Sequence, residues 1–139
     1  MQPVLLALPF LSEEHCAQLS QSFDLVYAPD AARASAAIAA HGARITAVLT
    51  IGSTGLSLAQ IDALPQLSLI CALGAGYENI AVPHAKARGI VVASGAGTND
   101  DCVADHAWGL LIAAVRGIPR LDTQTRQGVW RTALPLPPN

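Results

Sequence analysis

Three short glycine-rich stretches each follow an apolar run: Gly52-Ser53-Thr54-Gly55, Gly74-Ala75-Gly76, and Ser94 to Asn99. They carry little side chain, so what they offer a ligand is backbone. Glycine admits positive φ and close approach, and successive N–H groups then converge into a concave anion site. A small carboxylate fits that arrangement without a dedicated arginine. The plain alternative is that the glycines only make tight turns. For any one loop the turn is the simpler reading. Three loops at one sheet edge bring the ligand reading level with it, because ligands of parallel sheets collect at the carboxyl ends of strands.

Other chemistries find less support. Cys102 and His106 are spaced i, i+4, as are Asp101 and Asp105. No second Cys/His pair completes a metal site, so no metal is expected. Cys102 near a helix start is the one candidate nucleophile, yet no oriented base accompanies it, and no catalytic residue is expected in this chain. His15 and His41 read as helix-end residues and His84 as a solvated one. There is no G-x-G-x-x-G and no Walker sequence. Gly74-Ala75-Gly76 lacks a third glycine and is followed by Glu78, which is unfavourable beside a phosphate.

The elements that would position these loops follow from short apolar runs alternating with helical stretches. Strands are predicted over Val4–Leu8, Leu25–Tyr27, Ile45–Ile51, Leu67–Leu73 and Ile90–Ala93. Between them, Ser12 with Glu13 and Glu14 starts one helix. Asp30 caps an alanine-rich second, which His41-Gly42 closes. Leu58–Leu64 and Val82–Arg88 make two more, stopped by Pro65 and Gly89. This alternation predicts an α/β fold, a doubly wound, flavodoxin-like parallel sheet of five strands. From Thr98 the character changes: an apolar helix runs to about Arg116, and a second begins near Pro119 and ends near Gly128. The expected organisation is a sheet domain over residues 1–98, a helical arm over 99–131 and an extended or disordered tail over 132–139. Trp108 with Ala104, Leu111 and Val115 forms an apolar stripe. Core is its default reading and a dimer interface its rival, because the helix is apolar almost all round.

Composition bounds the function. The chain has 139 residues, 52% hydrophobic and 13% charged, with net charge −2, and its mean hydropathy is +0.40. Seven Arg and one Lys are scattered, and aromatic residues make up only 4%. No basic stripe or stacking surface suggests nucleic acid. The first basic residue is Arg33, so the apolar N-terminus lacks the positive region of a signal peptide. No uninterrupted run is long enough to span a membrane. Three scattered cysteines read as reduced thiols of a cytoplasmic protein.

The stretch "ALGAGYENIAVPHAKARGIVVASGAGTNDDCVADHAWGLLIAAVRGIPRLDTQTRQGVW" resembles the D-isomer-specific 2-hydroxyacid dehydrogenases, most of all their glyoxylate/hydroxypyruvate reductase branch. The resemblance rests on Gly74, Gly76, Glu78, Asn79, Ile80, Gly89, Val103-Ala104-Asp105, Arg116, Gly128 and Trp130. Glu78 and Ala81 stand where that family usually has Asp. The resemblance implies that Ala75 and Gly76 bind a substrate carboxylate through their N–H groups; Gly52, in the glycine-rich loop after the third strand, is added as a substrate-binding residue from the loop reading above. It further implies that Asn99 contacts substrate or nicotinamide and that Val103 packs against the nicotinamide. A small 2-oxo or 2-hydroxy carboxylate and a homodimer through residues 100–130 are the implied partners, and NAD or NADP the coenzyme of the complete enzyme.

In that family a G-x-G-x-x-G domain follows the Trp130 segment, and the catalytic Arg, Glu and His come after it. None lies within these 139 residues. No coenzyme is therefore expected on this chain alone, and the isolated chain is expected to be no working dehydrogenase. It would be a fragment, a truncated product or an independent module. A stand-alone carboxylate-binding or interaction module is the alternative function. A receiver-like regulatory domain is weaker, since no acidic pair follows the first strand.

Overall fold

The computed structural model describes residues 2–129; Trp130 and the tail lie outside the described residues. The chain divides into two compact units between Thr98 and Asn99.

The first unit is a five-stranded, wholly parallel sheet of order β2-β1-β3-β4-β5. The strands are β1 (Val4–Ala7), β2 (Asp24–Tyr27), β3 (Ile45–Thr50), β4 (Leu69–Ala72) and β5 (Val91–Ser94). The helices between them are α1 (Glu13–Ser20), α2 (Ala31–His41), α3 (Leu58–Asp62) and α4 (Val82–Ala87). This is the flavodoxin-like order expected from the alternation.

Local chemistry starts the helices where the sequence predicts. The Ser12 hydroxyl accepts from the His15 N–H, and the Asp30 carboxylate accepts from the Arg33 N–H. Ser57 and Gln60 form a reciprocal capping box at α3. Gly42 differs from expectation. Its backbone is right-handed helical and leads into a single 3-10 turn, Gly42–Arg44. Glycine is needed there for space: a Cβ would lie 2.7 Å from the Ala63 carbonyl oxygen.

The register explains the core. Val26, Leu6, Val48, Ile70 and Val92 stand opposite one another across the whole sheet. This row packs with Ala34 of α2, Ile61 and Leu64 beside α3, and Ala85 of α4. Removing such a face from water stabilises a fold by about 25 cal/mol per Å². The opposite row is Leu5, Ala47, Leu69 and Val91, with exposures of 6%, 7%, 39% and 60%. Cover is thus lost progressively toward β5.

His84 is not simply solvated. Its Nε2 lies 2.7 Å from Asp62 Oδ1, joining α4 to the end of α3. Arg88 donates to the carbonyl oxygens of Ile61 and Leu64.

Buried Thr50 closes the carboxyl end of β3, its hydroxyl donating to the Gly55 carbonyl oxygen at 2.7 Å. Thr50→Val keeps the shape and strands that buried acceptor. It is expected to lower the unfolding free energy by about 1–3 kcal/mol in urea titration; an unchanged midpoint would mean that the bond contributes nothing net.

The second unit contains α5 (Asp100–Arg116) and α6 (Ile118–Arg126), joined at Gly117 with φ +62°. Half-buried Ala113 on α5 and Leu121 and Gln124 on α6 mark the seam of this hairpin. Trp108 is 64% exposed. The stripe it forms is therefore not buried within the described part of this unit. Leu111, Ile112 and Val115 extend it along the helix, each more than half exposed.

Candidate functional site

Each glycine-rich stretch sits at the carboxyl end of its strand, and the structure ties the three together. The Leu56 N–H donates to the Asn79 carbonyl oxygen at 3.1 Å, and the Ala81 N–H to the Leu56 carbonyl oxygen at 3.0 Å. The Asn79 side-chain amide donates to the Ser53 carbonyl oxygen at 3.1 Å. These bonds stitch the loop after β3 to the loop after β4. The third loop joins through the Gly95 N–H, which donates to the Gly74 carbonyl oxygen at 2.7 Å. Thr98 then folds its hydroxyl back onto the Gly95 carbonyl oxygen at 2.7 Å.

Two glycines are needed for closeness. A Cβ on Gly52 would stand 2.7 Å from the Gly76 carbonyl carbon. Gly52 and Gly76, chosen from separate strands in the sequence, are thus neighbours. Gly76 does not adopt positive φ; Gly74 does, at +97°. The backbone reversal therefore falls at Gly74, and Gly76 serves packing.

The N–H groups are what remains for a ligand. Among the described residues, no backbone or side-chain acceptor takes the N–H of Gly74, Ala75, Gly76, Tyr77 or Glu78. All five residues are exposed. N–H groups that the fold leaves unclaimed are free to meet water or a ligand. Beside it lies a hollow of about 200 Å³, lined by Tyr77, Val82, Val92, Ala93 and Ser94. Tyr77 and Ser94 are the hydroxyl-bearing residues of that lining. That hollow is large enough for a molecule of a few heavy atoms, such as a short oxo acid.

Glu78 is the residue the sequence reading undervalued. Its carboxylate oxygen lies 2.5 Å from where a Cβ on Gly52 would be, and 2.7 Å from the same point on Gly76. Bare glycines followed by an acid two residues on was the signal. What it lacked was the partner, Gly52, which lies far back in the sequence.

Asn99 and Val103 belong to the second unit. Asn99 holds the N-cap position of α5 without a side-chain capping bond. Its carbonyl oxygen accepts from the Val103 N–H at 3.0 Å. Val103 is 57% exposed. Among the described residues no three His, Cys, Asp or Glu side chains gather as a metal site would require. No helix among them is long and apolar enough to cross a membrane.

The loop after β4 does not have the form of a dinucleotide's pyrophosphate site. Such a site needs a third glycine and a helix N-terminus after the turn. Here Tyr77, Glu78 and Asn79 follow, with an acid folded over the glycines.

The fold is a five-stranded parallel α/β domain whose loop after β4 leaves a run of backbone N–H groups unclaimed among the described residues. The family profile of the D-isomer specific 2-hydroxyacid dehydrogenase catalytic domain matches residues 4–133, and the chain belongs to that family. It is 36% identical over 87 residues to a glyoxylate reductase of Thermococcus kodakarensis, covering 63% of this chain and 26% of that protein. It is 30% identical over 131 residues to the D-3-phosphoglycerate dehydrogenase of Mycobacterium leprae, covering 93% of this chain and 24% of that protein. The 2-hydroxyacid dehydrogenase structure from Ketogulonicigenium vulgare superposes with a TM-score of 0.85 at 31% identity, over 100% of this chain and 45% of that one. An NADPH-dependent glyoxylate/hydroxypyruvate reductase from Sinorhizobium meliloti, in complex with NADP and malonate, gives 0.82 at 30% identity, over 99% and 43%. The chain thus spans less than half the length of these relatives.

Proposed function

We propose that this chain is the substrate-binding portion of an NAD(P)-dependent D-2-hydroxyacid dehydrogenase of the glyoxylate/hydroxypyruvate reductase type. The whole enzyme reduces a small 2-oxo acid to the D-2-hydroxy acid by hydride transfer. The observation that carries this reading is the run of unclaimed N–H groups from Gly74 to Glu78, beside a hollow of matching size. Ala75 and Gly76 hold the substrate carboxylate, and Gly52 shapes the wall behind them. Asn99 contacts substrate, and Val103 packs on the nicotinamide. NAD or NADP is held by sequence outside these residues, so the 139-residue chain alone is inactive. Three free thiols suit a reducing, cytoplasmic setting. The exposed face of α5 supports a homodimer through residues 100–130.

Glyoxylate added to the isotopically labelled chain is expected to shift the Ala75 and Gly76 amide resonances more than any others in the first unit. Gly76→Val removes the effect, because its side chain would be forced against the Glu78 carboxylate and close the approach. Shifts confined to loops other than the one after β4 would defeat the assignment.

A further inference from the structure

In the sheet, β1 lies between β2 and β3. The chain leaves β1 toward β2 and leaves β3 toward β4, so the connections at their carboxyl ends part in opposite directions. Open parallel sheets take ligands at such a switch point. A cavity of about 300 Å³ lies there. Its lining includes Leu8 after β1, Ala28 and Asp30 after β2, Ala34 of α2, Thr54 after β3 and Gln60 of α3. It shares no lining residue with the hollow beside Tyr77 and is the larger of the two. Small-molecule sites begin at about this size, and they are mostly apolar with a few polar groups.

The polar groups of this cavity carry no free charge. Asp30 is its one charged lining residue, and that carboxylate is already engaged. Its Oδ1 accepts from the Arg33 N–H at 2.8 Å, and its Oδ2 lies 3.3 Å from Arg33 Nε. Gln60 is engaged at one end only. Its Oε1 accepts from the Ser57 N–H at 2.9 Å in the capping box of α3. That bond fixes which end of the amide is the oxygen, and the NH2 group has no acceptor among the described residues. The Thr54 hydroxyl has no partner among them either. Leu8, Ala28 and Ala34 are buried and supply apolar surface. A complementary ligand has an apolar body and a hydrogen-bond acceptor. An ionised ligand would leave water with no opposite charge to meet, which is costly.

We propose that this cavity at the ends of β1, β2 and β3 is a second ligand site, for a small uncharged molecule that joins an apolar ring or chain to a carbonyl or amide group. Gln60 has two tasks there: its oxygen starts α3, and its NH2 group donates to the ligand. The site is independent of the anion-binding reading of Ala75 and Gly76.

Three probes of one shape and different charge test it: benzamide, benzoate and benzylamine, titrated at neutral pH into the isotopically labelled chain. Benzamide is expected to shift the Ala28, Ala34 and Thr54 amide resonances above all others. It should bind at least about fivefold more tightly than either charged probe, the lower end of the cost of burying a polar group without its partner. Gln60→Glu keeps the oxygen that caps α3 and replaces the donor with a carboxylate, so it should weaken benzamide by about the same factor. Ala34→Leu puts a larger side chain into the lining and should abolish the response; where that variant does not fold, Gln60→Glu decides. No response of the three amides to benzamide up to its solubility limit overturns the site. Unchanged benzamide affinity in Gln60→Glu overturns the role of Gln60, and tighter binding of benzoate or benzylamine overturns the ligand class.

Discussion

Gly55→Ala is expected to lower the unfolding free energy by about 3 kcal/mol. Two costs combine. Gly55 has φ +66°, where an L-residue is strained by roughly 1–2 kcal/mol. The added Cβ would also fall 2.0 Å from the Asn79 carbonyl oxygen and 2.4 Å from its carbon. Those are backbone atoms, so relief requires the loops after β3 and β4 to separate. Overpacking of this kind costs typically 1–3 kcal/mol. Separation would also stretch the Leu56–Asn79 bond and pull Gly55 from the Thr50 hydroxyl. Gly74→Ala is the control. Its φ is +97°, yet nothing lies within 4 Å of its Cβ, so only the conformational cost remains. Urea unfolding of the two variants should separate them clearly; equal midpoints would show that the loops yield without loss.

The second large effect is on association. Val103, Trp108, Leu110, Leu111, Ile112 and Val115 of α5 are all more than half exposed. Exposed apolar surface of this extent favours association. Burying about 800 Å² of it corresponds to roughly 20 kcal/mol before the costs of association are subtracted. Trp108 stands mid-helix, and large aromatics at the centre of an interface dominate its energy. Sedimentation of the natural chain is expected to show a dimer. Trp108→Asp is expected to weaken it by at least about 100-fold, from the roughly 3 kcal/mol such central residues carry. A natural chain that sediments as a monomer at high micromolar concentration refutes the interface, as does a Trp108→Asp dimer of unchanged strength.

The strands were legible because each is a short apolar run closed by turn residues, and parallel strands buried on both faces need no alternation. Their ends moved by a residue or two: β4 starts at Leu69 rather than Leu67, since Leu67 is buried before the ladder begins. Helix starts were legible where a side chain caps its own helix, as Ser12 and Asp30 do. What stayed hidden depends on partners distant in sequence. Gly42 looked like a left-handed helix end, but its reason is the Ala63 carbonyl oxygen. His84 looked solvated, but it reaches Asp62. The three loops were found as loops, whereas the packing of Glu78 on Gly52 exists only once β3 and β4 lie side by side.

The thinning cover toward β5 also bears on how the protein fails. Among the described residues β5 is the last strand of the sheet and pairs only with β4, and Val91 on it is 60% exposed. From Gly89 to Asn99 the chain carries no charge at all. An uncharged, β-branched edge is a template on which further chains can add as strands. Arg88 and Asp100, at either end of that stretch, are then its gatekeepers. The small, neutral residues that leave a strand end open to a ligand thus also leave it open to aggregation, and two flanking charges limit the spread.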